Sequence, residues 1–106
     1  MTIPVDDTPV VDDTASSRFV ISQDGTEAEL VYAREGDRLI LGHTGVPEQW
    51  GGHGIGGRLV RTALARAQAN DLTVVPWCPF ARRWLQEHPD EAAASAIDWD
   101  TPRPTS

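Results

Sequence analysis

The chain contains no lysine; all nine of its basic residues are arginine. A Walker-type phosphate loop sets a lysine on its nucleotide phosphates, so that class of nucleotide enzyme is excluded. One cysteine is present, Cys78. A single thiol builds neither an intrachain disulfide framework nor a zinc knuckle, and the chain is expected in a reducing cytoplasm. Histidines and carboxylates nowhere fall at metal-ligand spacing, so no metal site is expected. No apolar run approaches the ~18 residues of a membrane helix, and no basic patch precedes an apolar stretch as in a secretory signal. Basic charge is outnumbered by 16 acidic residues, and a net charge of −7 argues against sequence-neutral binding to nucleic acid. A polyanionic ligand therefore needs a local device to hold it.

A length of 106 residues is one domain or less. Residues 1–16 hold four aspartates, three threonines and two prolines with no aromatic, and read as a mobile acidic leader. Residues 91–106 read as a tail, partly packed around Trp99. The folded domain is then 17–90, near the lower size limit for one stable core. Within it, Arg18–Ser22, Ala28–Arg34 and Arg38–His43 are short β-rich runs separated by turns at Asp24-Gly25 and Glu35-Gly36-Asp37, which predicts an antiparallel meander. From Gly54 to about Ala69 the apolar spacing becomes helical. Leu72–Pro76 reads as a buried strand, and Arg82–Glu87 as a second short helix begun by Pro79-Phe80 and stopped by His88-Pro89. Strand, glycine loop, helix and strand in sequence imply a right-handed crossover joining parallel strands. The expected class is α/β (α+β): a mostly antiparallel sheet with a helix packed on it.

Between the third strand and the first helix lies Gly51-Gly52-His53-Gly54-Ile55-Gly56-Gly57, holding five of the nine glycines. Backbone N–H groups in such a loop, at the positive end of a helix, suit an anion such as phosphate. A flexible turn without ligand is the plain alternative, but a turn needs one or two glycines. Gly52-x-Gly54-x-x-Gly57 formally matches the dinucleotide fingerprint; the chain lacks room for the second half of that fold.

Four tracts in order, His43-Thr44-Gly45-Val46-Pro47, Gly52 to Val60, Val75-Pro76-Trp77-Cys78-Pro79-Phe80 and His88-Pro89, resemble the small GCN5-related N-acetyltransferase-like (GNAT-like) proteins over residues 18–100. The resemblance implies a compact fold whose loop holds the pyrophosphate of acetyl-CoA, with Thr44, Val46, Gly51, Gly52, His53, Gly54, Ile55, Gly56 and Gly57 as its binding residues. His53 is expected to contribute its backbone N–H rather than its ring. The family signature, Gln/Arg-x-x-Gly-x-Gly/Ala, meets Gly51 at its first position, so Arg58, Arg82 or Arg83 is expected to supply the missing charge.

Acetyl transfer from a thioester to an amine needs a base, an oxyanion donor and a proton for the leaving thiolate. In the family the strand before the loop supplies the backbone donor, here Leu39–Val46. Histidine is the side chain suited to proton transfer near neutral pH, so His43 is a candidate base, or a polar residue fixing the strand end. Cys78 is a candidate acid or transient acyl carrier, or a small core residue. The two are expected to meet at the ends of neighbouring strands. His88 reads as a helix end, Trp50, Trp77 and Trp84 as packing, with Trp50 also placed to line a groove. The leading function is an acetyl-CoA-dependent N-acyltransferase acting on a small-molecule or peptide amine. A non-catalytic CoA-binding regulatory module and a ligand-free interaction domain are the alternatives. No nucleic-acid or membrane partner is expected, and the chain is expected as a monomer or weak homodimer.

Overall fold

A computed structural model of the chain describes residues 5–103; the parts of the expected leader and tail at 1–4 and 104–106 lie outside the described residues. Five strands form one sheet in sequence order: β1 (Val11–Asp13), β2 (Arg18–Gln23), β3 (Thr26–Glu35), β4 (Arg38–Gly45) and β5 (Thr73–Pro76). β1 to β4 run antiparallel, and β4 pairs with β5 in parallel through Arg38↔Thr73 to Leu41↔Pro76. The meander and the parallel pair are as the sequence predicts, and the class is α+β. The β2–β3 turn takes Asp24 and Gly25 into positive φ, the backbone a tight hairpin needs.

Between β4 and β5 the chain makes a short 3-10 turn, Glu48–Trp50, and the helix α1 (Ile55–Ala69). α2 (Pro79–Glu87) and α3 (Pro89–Ala92) follow β5, each with proline at its start, where a missing N–H costs nothing. α1 buries Ile55, Leu59, Val60, Ala63, Leu64 and Ala67. These meet Phe19, Ile21, Leu30, Leu39, Leu41 and Val74 of the sheet in one core cluster. Alternation along the strands sends those sheet residues to one face, and α1 and α2 cover it.

β3 and β4 slip against each other once. Tyr32 pairs with Leu41, but Val31 pairs with His43, leaving Gly42 as the extra residue of a bulge. A bulge reverses the in-and-out phase beyond it. Leu39 and Leu41 point into the core, yet after Gly42 it is Thr44, opposite Leu30, that takes the core side. His43, opposite Val31, goes to the other face and is exposed.

The expected mobile leader is corrected from Val5 onward. Val5 is buried at 7% exposure, and Val11–Asp13 adds an edge strand to β2. Arg58 donates to the carbonyls of Val5 and Thr8, and Arg66 bonds Asp12 at 3.0 Å. Tyr32 donates its hydroxyl proton to Asp12 at 2.9 Å and meets Arg66 as well. Burial, followed by Asp12, pushes the Tyr32 phenol above its ordinary value. At the other end, Ile97 bridges to Val74 and Trp99 packs against the core.

Candidate functional site

α1 begins without a cap from any side chain; its first hydrogen bond runs from Arg58 N–H to the carbonyl of Gly54. The N–H groups of Ile55, Gly56 and Gly57 therefore have no partner inside the helix, and the helix dipole adds positive potential where they point. They open on a cleft of about 440 Å³ between the start of α1 and the face of α2. Its walls include Val46, Trp50, Gly51, Gly52, Gly54, Ile55, Gly56 and Gly57. Each of these stands among the expected binding residues, apart from Trp50, which was placed as a possible groove wall.

The five glycines of the loop do different work. Gly52 and Gly54 have φ of +84° and +69°, with open space where a Cβ would be. They make the left-handed turns that bring the chain into the helix. Gly56 and Gly57 are buried, and a Cβ on them would lie 2.5 Å from Phe80 Cζ and 2.6 Å from Trp84 Nε1. Their smallness lets α2 press against α1 and form the far wall of the cleft. Glycine density alone points to anion approach; two of the five glycines serve helix packing. The signal lay in Phe80 and Trp84, four residues apart on the face of α2.

Other expected residues fall elsewhere. His53 is exposed, with Nδ1 3.1 Å from an Asp6 carboxylate oxygen, and it does not line the cleft. Thr44 lies deeper, its hydroxyl 3.1 Å from Cys78 Sγ. Cys78 is 3% exposed and caps the start of α2, and its N–H donates to the Leu41 carbonyl at 2.8 Å. The expected meeting of His43 with Cys78 does not occur, because the Gly42 bulge turns them to opposite faces; Thr44 takes that place. Of the arginines expected to add charge, Arg58 is engaged with the N-terminal segment and Arg82 with the carbonyl and ring of Trp99. Neither they nor Arg83 line the cleft. Arg61 does, together with Phe80, Trp84 and His88. Sequence reasoning reads His88 as a helix end and does not single out Arg61; the packing of α2 on α1 sets the two on one cleft.

A family model described as GCN5-related N-acetyl-transferase matches residues 18–94. The chain belongs to the GCN5-related N-acetyltransferase family. It is thereby an acetyltransferase by class. Among solved structures, the solution NMR structure of a "GCN5-like putative N-acetyltransferase" from Staphylococcus aureus superposes with a TM-score of 0.69, covering 88% of this chain and 92% of that one at 23% identity. At that identity the likeness speaks for the fold. Among curated proteins no relative matches. Against the family signature, Gly51 replaces the long polar side chain, and a Cβ there would sit 3.1 Å from the Glu48 carbonyl. The cleft thus presents backbone amides of the glycine loop at its centre and α1 and α2 side chains at its rim. Among the described residues no helix is long and apolar enough to cross a membrane.

Proposed function

We propose that this acetyltransferase takes acetyl-CoA as its donor and transfers the acetyl group directly to an amine. The observation that carries the reading is the row of N–H groups at Ile55, Gly56 and Gly57, without partners among the described residues, opening into a cleft that none of the described acidic side chains lines. A pyrophosphate fits that donor set: it is anionic, accepts several hydrogen bonds and needs no lysine. When bound, the thioester supplies an activated acetyl group. The chain's residues bind and orient it and handle two protons.

The Gly42 bulge supports a division of that labour. His43, exposed on one face of β4, takes the proton of the incoming amine at a ring nitrogen. Cys78, behind Thr44 on the helix face, gives its Sγ proton to the departing sulfur, and the Thr44 hydroxyl at 3.1 Å lies in reach to hold that thiol in line. The β4–β5 pairing ends at Leu41, so beyond it an amine on one side and a thioester on the other can meet at one carbon. An acyl-cysteine adds no necessary step.

Calorimetry with CoA, then turnover of acetyl-CoA against an amine panel, tests the reading. CoA is expected to bind; no binding at millimolar CoA overturns the proposal. His43→Ala is expected to slow turnover by ~10²–10⁴-fold, the usual contribution of a general base. Cys78→Ser is expected to keep partial turnover with no acetylated protein by mass spectrometry. Full activity in both variants makes these residues scaffold. Binding without turnover across the panel assigns the chain to a binding-module role instead.

A further inference from the structure

The rim of the cleft carries two basic side chains that the glycine loop does not account for. Arg61 lies one helical turn beyond Gly57, about 6 Å along α1. Its guanidinium carbon sits 5.2 Å from the Trp84 ring centroid. His88 stacks on the same indole at 3.9 Å with only 13° between the planes. Trp84 is itself held, 8% exposed, against Gly57. One rigid plate thus carries both groups to one rim of the site.

Both keep hydrogen-bonding capacity that no described residue takes up. The Nε of Arg61 donates to both Glu91 carboxylate oxygens at 3.1 Å, and its two terminal nitrogens have no partner among the described residues. The Nδ1 of His88 lies 2.7 Å from the Trp84 carbonyl. A carbonyl only accepts, so Nδ1 carries the proton and Nε2 is the unspent nitrogen. Among the described residues Glu91 is the one carboxylate paired with Arg61, and it engages only Nε–H.

We infer that Arg61 and His88 form a second anion subsite for the 3′-phosphate of the CoA nucleotide, apart from the pyrophosphate on the loop amides. The inference rests on the donor proposed above. Arg61 projects into the cleft from one helical turn beyond those amides, within the span of a nucleotide joined to that pyrophosphate. The 3′-phosphate accepts from the terminal Arg61 nitrogens and shares a proton with Nε2 of His88, whose Nδ1–H stays on the Trp84 carbonyl. A phosphate monoester and a guanidinium are a strong matched pair. The rim thereby discriminates CoA from donors that end in a bare adenosine.

Calorimetry with CoA and with 3′-dephospho-CoA reads this directly. The protein is expected to bind CoA roughly tenfold or more tightly than the dephospho form, the size of a charge-assisted contact. Arg61→Gln removes the charge from an exposed helix position. His88→Asn keeps a side-chain N–H for the Trp84 carbonyl and removes Nε2. Each variant is expected to lose most of the preference while still binding dephospho-CoA about as the unmodified protein does. Equal affinity for the two ligands in the unmodified protein overturns the inference, as does a parallel loss for both ligands in the variants. If neither ligand binds the unmodified protein, the proposed donor falls and the subsite with it.

Discussion

A methyl group at residue 56 would lie 2.5 and 2.7 Å from the Phe80 ring, closer than real Cβ contacts allow. Phe80 belongs to α2 and is partly buried against the core, so its ring must shift to make room. Gly56→Ala is therefore expected to destabilise the fold by about 1–3 kcal/mol, the usual cost of overpacking. That lowers the melting temperature by several degrees for a domain of this size. Gly52→Ala meets open space but keeps a φ of +84°, and so carries only a left-handed strain of about 1 kcal/mol. Thermal melts of the two variants check the order; an unchanged melt for Gly56→Ala means α2 is not seated as described. Sequence density marks the loop but does not separate these roles, because the difference lies in what each glycine faces across the fold. Gly42 is a similar case. Period-two reading of RLILGH places His43 with Leu39 and Leu41, and a single bulged residue undoes it. A glycine inside a strand pattern was the available sign.

Elements with a strong internal period were legible. The α1 pattern from Gly54 to Ala69 and the short apolar run of β5 each state their own structure, and the parallel β4–β5 pair follows from connectivity. Segments held by polar tertiary contacts were not. Residues 98–103 have no period, yet they are tied down at several points. Trp77 Nε1 donates to the Thr101 carbonyl at 2.9 Å, and Arg103 reaches the Gly42 carbonyl. At the centre, Asp98 accepts from the Thr101 hydroxyl at 2.6 Å, from Arg38 at 2.5 Å and from the N–H groups of Asp100 and Thr101. The Thr101 hydroxyl first, then Arg38 and the two amides, hold the Asp98 carboxyl well below the ordinary carboxylate range. A depressed folded value means that the contribution is complete above the unfolded value of 3.8 and fades as pH falls below it. Asp98→Asn is accordingly expected to melt below the parent at pH 7 and to approach it as pH drops under about 4. A gap between the two melts that stays constant from pH 7 to pH 3 would exclude this assignment.

At the scale of the molecule, the acidic N-terminal segment is part of the folded body. Composition argued otherwise, since residues 1–16 hold little apolar surface and four aspartates. The missing information was the partner of each charge: Asp6 faces His53, Asp12 faces Arg66, and Asp13 lies 3.9 Å from Arg18. Exposed pairs of this kind contribute little singly. What holds the segment is their sum with the β1–β2 ladder and the burial of Val5, a valine contributing about 1.5–3 kcal/mol when fully enclosed. A chain lacking residues 1–13 is expected to keep its circular dichroism spectrum but melt several degrees lower, and to self-associate more readily, because β2 becomes an uncovered edge. Asp12→Asn alone is expected to move the melt far less, since it leaves the ladder and Val5 in place. The same truncation releases Arg58 from the Val5 and Thr8 carbonyls and His53 from Asp6, both beside the glycine loop. CoA affinity is therefore expected to change with the deletion but hold in Asp12→Asn. A truncated chain that melts and binds like the full one would return residues 5–13 to the status of a passenger segment.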